Sequence, residues 1–211
     1  MVGYSRRAVA ARRAIVAIVA SLACSVAGVA CADPLFEPVG ARTSSAPIGW
    51  SQFCATYEKE CDTRPWPPRD VVLTDTAFAD LKKINDWANH AMKPVTDMDH
   101  YGMIQWWRYP DDGAGACHSF ALLKRRALMR AGWPRQALLM TIVHEADGEG
   151  HAVLTVKTDR GDFILDNLTD DILLWSKTPY RYYKRQSQDD PNSWVWLSDS
   201  RSEAAATAKK N

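Results

Sequence analysis

The sequence predicts an α+β domain in which helices pack on an antiparallel sheet. Three observations carry that expectation. Two amphipathic helical segments come first, near residues 75–92 and 117–131. A run of short strands follows from residue 137. Those strands are joined by tight glycine turns rather than crossover helices. A chain of 211 residues without internal repeats fits one such domain.

The first 32 residues stand apart. Arg6, Arg7, Arg12 and Arg13 precede a small and apolar run from Ala14 to Ala32 that contains no acidic residue. The run ends Ala30-Cys31-Ala32, a pattern suited to signal-peptidase cleavage before Asp33. Residues 1–32 are therefore expected to be a signal peptide and the mature protein to be exported. The alternative is an uncleaved anchor, which would be the protein's one contact with a membrane. The apolar run is short for a spanning helix and is rich in Ala rather than Leu.

Charge narrows the functional classes. The whole chain has 26 Lys and Arg against 25 Asp and Glu, and the first 32 residues hold four of the basic ones and no acid. The remainder is net acidic by three charges, which argues against a nucleic-acid partner. The runs Lys124-Arg125-Arg126 and Tyr182-Tyr183-Lys184-Arg185 read as solvated faces.

Residues 33–50 hold Pro34, Pro38, Pro47, Gly40 and Gly49 and read as an extended N-terminal arm. The domain proper is expected over 51–200, with 201–211 a frayed tail. Thr74 can cap a first helix with Phe78, Leu81, Ile84, Asn85, Ala88 and Met92 at helical spacing, and Pro94 ends it. Residues 95–116, with Trp106, Trp107, Tyr109 and three glycines, read as a long aromatic loop. The second helix starts near Cys117, carries Phe120, Leu123, Ala127 and Ala131 on one stripe, and closes at Gly132 before Pro134. Strands follow at 137–143, 151–157 and 162–166, with two more expected at 180–185 and 194–197.

Export gives the cysteines meaning. Cys54 and Cys61 lie close together and are expected to form a disulfide in an oxidising compartment, the alternative being two free thiols. Cys117 is then left without a partner. Its place at a helix start favours a thiolate, because unpaired amides and the helix dipole stabilise the anion. His151 opens one strand and Asp166 closes the next, across the turn Asp159-Arg160-Gly161. The two are offset but near the same end of adjacent strands, where a bulge or modest twist brings carboxylate to imidazole. The ordered set Cys117, His151, Asp166 has the residue types of a nucleophile, an acid-base and its orienter.

From Tyr101 to about Trp194 the chain resembles the bacterial transglutaminase-like cysteine peptidases, a papain-like family of the transglutaminase-core superfamily. The resemblance rests on "WWRYPDDGAGAC" leading into "ALLKRRALMRAGWP", on "GHAVLTVKTDRGDFILDN", and on "YRYYKRQSQDDPNSW", and it extends to "FCATYEKEC". It implies a papain-like fold, a cysteine endopeptidase, Cys117 as nucleophile, His151 as acid and base, and Asp166 as orienter. It also implies a periplasmic location and a protein substrate, a surface adhesin in one branch of the family.

One departure stands out. Family members carry carboxylates around the cysteine, and in calcium-dependent members these bind the metal. Here the residues are Ala116, His118 and Ser119, so no calcium site of that kind and no other cofactor is expected, the alternative being a transition metal such as zinc held by Cys117, His118 and His151. The same change supports the competing reading of a binding module that kept the fold and lost the reaction. Amide transfer to amines by the same machinery is the other alternative.

Overall fold

The computed structural model describes residues 33–61, 64 and 66–199. The expected signal peptide over 1–32 and tail over 201–211 lie outside the described residues.

The principal helices are α1 (Ile48–Thr56), α2 (Asp75–Ala91), α3 (Asp97–Tyr101) and α4 (Cys117–Arg130). The strands are β1 (Val39–Ser44), β2 (Lys93–Pro94), β3 (Ala114–Gly115), β4 (Leu138–His144), β5 (Gly150–Thr158), β6 (Gly161–Leu165), β7 (Leu173–Leu174), β8 (Arg181–Gln186) and β9 (Trp194–Leu197). Seven of them form one sheet in the order β1-β9-β8-β4-β5-β6-β7, every neighbour antiparallel. The two-residue strands β2 and β3 pair separately and in parallel. This is the expected α+β plan.

Helix α2 forms where its cap predicts. The Thr74 hydroxyl accepts the Ala77 amide at 3.1 Å, and the helix buries Leu81, Asn85 and Ala88. It packs on α4, which packs in turn on β4 and β5. The main core joins Trp50, Leu81, Leu122, Leu128, Met140, Leu154 and Trp194. A second cluster contains Val143, Val153 and Ile164 with Trp175, Tyr180 and Tyr182. Leu154 and Val153 are neighbours in β5, so alternation along the strand puts the two clusters on opposite faces of the sheet. Burying both faces leaves β5 almost without exposed residues.

The sequence reading is corrected at three places. Residues 33–50 are not simply an arm: β1 adds to the sheet edge against β9, and α1 begins at Ile48. Glu37 draws this segment in, with its amide on Asp162 Oδ2 and its carboxylate on Arg185 Nε, both at 2.8 Å. The loop 95–116 contains α3, which Thr96 caps by accepting the Asp99 amide at 3.1 Å. The basic runs are not solvated faces. Lys124 and Arg125 are fully buried and Arg185 nearly so. Buried cations need partners. Lys124 donates to the Asp166 carbonyl at 2.8 Å, and Arg125 pairs with Glu60 at 3.0 Å.

Candidate active site

The site sits where the start of α4 meets one end of the β5–β6 hairpin. Ala116 provides no side-chain cap to α4, and with the Ser119 amide turned back onto the Ala116 carbonyl at 2.8 Å, it is the Cys117 and His118 amides that face a ligand or anion. Cys117 is the first residue of the helix and is half-buried. It lies in a cleft of about 750 Å³ whose lining includes Trp107, Cys117, His118, Glu145, Glu149 and His151.

The strand register explains how His151 meets Asp166. Leu154 faces Leu165 across β5 and β6, and the register runs unshifted to Thr158 and Gly161. Continued by one residue, it sets Asp166 opposite Val153, two residues along from His151. Side chains of this length bridge such a diagonal. The hydrogen bond from His151 Nε2 to Asp166 Oδ1 is 2.8 Å, and both side chains are buried. No bulge in this pair of strands is needed. Glu145 approaches the other ring nitrogen, with Oε1 3.9 Å from Nδ1.

Asp166 is itself held. Tyr180 donates its hydroxyl to Oδ2, and the Leu168 amide donates to Oδ1 at 3.2 Å. The Asp166 carbonyl accepts from Lys124 at 2.8 Å and from Asn89 at 3.0 Å. Burial drives the Lys124 ammonium down to about 7 against the pull of Asp166 and Asp170. Burial and the bond to Asp166 both push the Tyr180 hydroxyl above its ordinary value, so it stays a donor.

The electrostatics favour an ion pair. Burial pushes the Cys117 thiol up, but hydrogen bonds from His118 and His151 and their charges outweigh it and bring it down to about 6. Burial pushes His151 down, while Asp166 and the Cys117 thiolate more than compensate and raise it to about 10. At neutral pH this describes thiolate and imidazolium, the reactive form of a cysteine nucleophile.

The sequence-predicted residues Cys117, His151 and Asp166 therefore come together. Sequence reasoning missed the supporting residues Tyr180, Lys124 and Asn89, and read His118 only as the loss of a carboxylate or as a transition-metal ligand with Cys117 and His151. The one signal in the sequence for His118 was its adjacency to Cys117.

The family model for bacterial transglutaminase-like cysteine proteinases (BTLCP) matches residues 40–202. The chain belongs to this family. This transglutaminase-like proteinase is thus a cysteine peptidase. Three solved structures of LapG from Legionella pneumophila are similar to it. The calcium-bound form is 25% identical, over 57% of this chain and 68% of that one, with a TM-score of 0.49. The EGTA-treated form is 22% identical, over 74% and 81%, with a TM-score of 0.49. A third is 23% identical, over 77% and 88%, with a TM-score of 0.48. No curated protein matches the proteinase. The disulfide Cys54–Cys61 is formed, with its Cα atoms 5.5 Å apart. No helix among the described residues is long and apolar enough to cross a membrane.

Proposed function

We propose that this peptidase is an exported, periplasmic endopeptidase that hydrolyses a surface or periplasmic protein, a surface adhesin for instance, through a Cys117, His151, Asp166 triad. The reading is carried by the line of contacts from Asp166 through His151 to the half-buried Cys117 thiol at the start of α4. The arginine-led apolar segment and the disulfide support export.

The Cys117 thiolate attacks the scissile carbonyl carbon, and the carbonyl electrons move to oxygen. Amides at the start of α4 stabilise that oxyanion. The intermediate collapses, the C–N bond breaks, and His151 gives its proton to the departing amine. Water then attacks the thioester while His151 takes up a proton. The C–S bond breaks and its electron pair returns to sulfur. Asp166 fixes the ring orientation and stabilises the imidazolium throughout.

One similar structure binds calcium, so the fit of this site to calcium bears on the reaction. Calcium takes six to eight oxygen ligands. Ala116 offers none, His118 offers nitrogen, and Ser119 is a buried neutral hydroxyl. The Asp97 carboxylate beside His118 already accepts the Trp106 amide at 2.7 Å. Among the described residues no group of three His, Cys, Asp or Glu is arranged to hold a metal ion. These residues do not fit calcium, and no step is assigned to it.

The test is incubation of the purified protein with outer-membrane protein extract, with fragments read by terminal mass spectrometry. The expected result is new fragments with the wild type, none with Cys117→Ala, a loss of about 10²–10⁴-fold with His151→Ala, and no change with EGTA. Cleavage by Cys117→Ala, or none by the wild type, would overturn the peptidase assignment to this site. EGTA-sensitive cleavage restored by calcium would overturn the metal-free reading.

A further inference from the structure

Two histidines, not one, act on the Cys117 thiol through hydrogen bonding and charge, His151 and His118. His118 follows Cys117 directly, and its side chain is buried. Its Nε2 lies 3.4 Å from Asp97 Oδ1, and both side chains are about 6% exposed. At that length the contact is electrostatic rather than a well-formed hydrogen bond. The other Asp97 oxygen holds the Trp106 amide. The imidazole is stacked on Trp107, with ring centroids 5.2 Å apart and planes within 5°. Trp107 cannot retreat, because it is wedged over Gly49, where a Cβ would lie 2.2 Å from the indole. The ring is thus fixed between an indole face, which favours a cation, and a carboxylate.

We propose that His118, held by Asp97 and stacked on Trp107, is a second imidazolium at the Cys117 sulfur, a fixed cation that stabilises the thiolate while His151 gives up and regains its proton. The assignment rests on Cys117 being the nucleophile. The division of labour follows from the partners. His151 must pass its proton to the leaving amine, and so its charge is lost in mid-reaction. His118 keeps its proton throughout, forms no bond and breaks none. Its charge remains beside the sulfur when the thioester collapses, which makes the thiolate a better leaving group.

Among the described residues the groups in direct contact with this pair are of known sign. Asp97 from α3 faces His118. Asp166 and Tyr180 face His151, and Glu145 lies beside it. The direction of the shifts agrees with the geometry. Burial lowers His118, but Asp97 and the Cys117 thiolate outweigh it and raise the ring to about 9.

The experiment is the pH dependence of Cys117 alkylation by iodoacetamide, which needs no substrate. The wild-type midpoint is expected near 6. His118→Gln is expected to raise it by about 1–3 pH units, the effect of losing one opposite charge at this range. Asp97→Asn, which leaves the imidazole in place, is expected to raise it less. His151→Ala is expected to keep a depressed midpoint, and only His118→Gln with His151→Ala should approach about 8.5, the value of a free thiol. Circular dichroism checks that each variant is folded. Should His118→Gln fail to fold, Asp97→Asn and an NMR titration of His118 in the intact protein decide the matter. An unshifted midpoint in folded His118→Gln, an ordinary thiol in His151→Ala alone, or a neutral His118 at pH 7 would each overturn the proposal. Failure of the peptidase assignment is separable, since it would appear as cleavage that survives Cys117→Ala.

Discussion

At Cys117 the sign of ionisation is decided by competition. Desolvation favours the neutral thiol, and two imidazoles and the helix start favour the anion. The anion prevails, so the imidazoles are in turn raised by the thiolate. Their mutual dependence gives a direct prediction. In NMR titrations His118 and His151 should stay protonated at pH 8, well above an ordinary histidine near 6.5. In Cys117→Ala both should titrate at lower pH, because one of the charges that raises them is gone. Titration of His151 unchanged in that variant would show that Asp166 alone sets its charge. Of these residues Cys117, His151 and Asp166 were legible in the sequence, since a helix start and a hairpin register are local patterns. His118 was not. Its partners Asp97 and Trp107 come from another part of the chain, and only packing brings them to the ring.

The same limit applies to elements. Strands β4, β5, β6, β8 and β9 and helix α2 were legible because alternation, capping by Thr74 and termination at Pro94 act within a few residues, whereas β1 and the two-residue strands β2, β3 and β7 carry too little pattern of their own. The chemistry of α4 was misread. Periodicity marks Lys124 and Arg125 as polar, but it cannot register that the buried Asp166 carbonyl and the half-buried Glu60 carboxylate receive them. The N-terminal segment was misread for a similar reason. Its prolines fit an arm, yet Glu37 is buried against Arg185, accepts from Thr155 at 2.8 Å, and donates its amide to Asp162, which also binds Lys157. Removing one member of a buried ion pair strands the other. Glu37→Ala is therefore expected to lower stability by about 3–5 kcal/mol, read from urea unfolding. The alkylation midpoint of Cys117 should not move, since the network does not contact the thiol. A loss below about 1 kcal/mol would mean that water replaces the carboxylate.

Across the whole molecule, the early and late parts of the chain are tied together. The Asn192 side chain donates through Nδ2 to the Cys61 carbonyl at 3.1 Å and accepts through Oδ1 from the Trp50 indole at 3.3 Å. The disulfide closes the same region with a sequence separation of 7. A ring of that size restricts the unfolded chain by about 2–3 kcal/mol. For a domain of this length, that is roughly 5–10 °C in melting temperature. Dithiothreitol should lower the melting temperature by that amount in the wild type and have no further effect on the double variant Cys54→Ala, Cys61→Ala. Equal melting temperatures with and without reductant would show that the bridge closes a loop already ordered when unfolded.

Lys124 has a consequence for how the two halves of the site are measured against each other. It stands seven residues after Cys117, two turns down the same helix and about 10 Å along its axis. Its ammonium grips the main chain of Asp166, the residue that aims His151. The helix therefore works as a gauge block. One end presents the sulfur, the other sets how far the hairpin can slide, and the gap between the Cys117 thiol and the His151 ring is machined into a single rigid part.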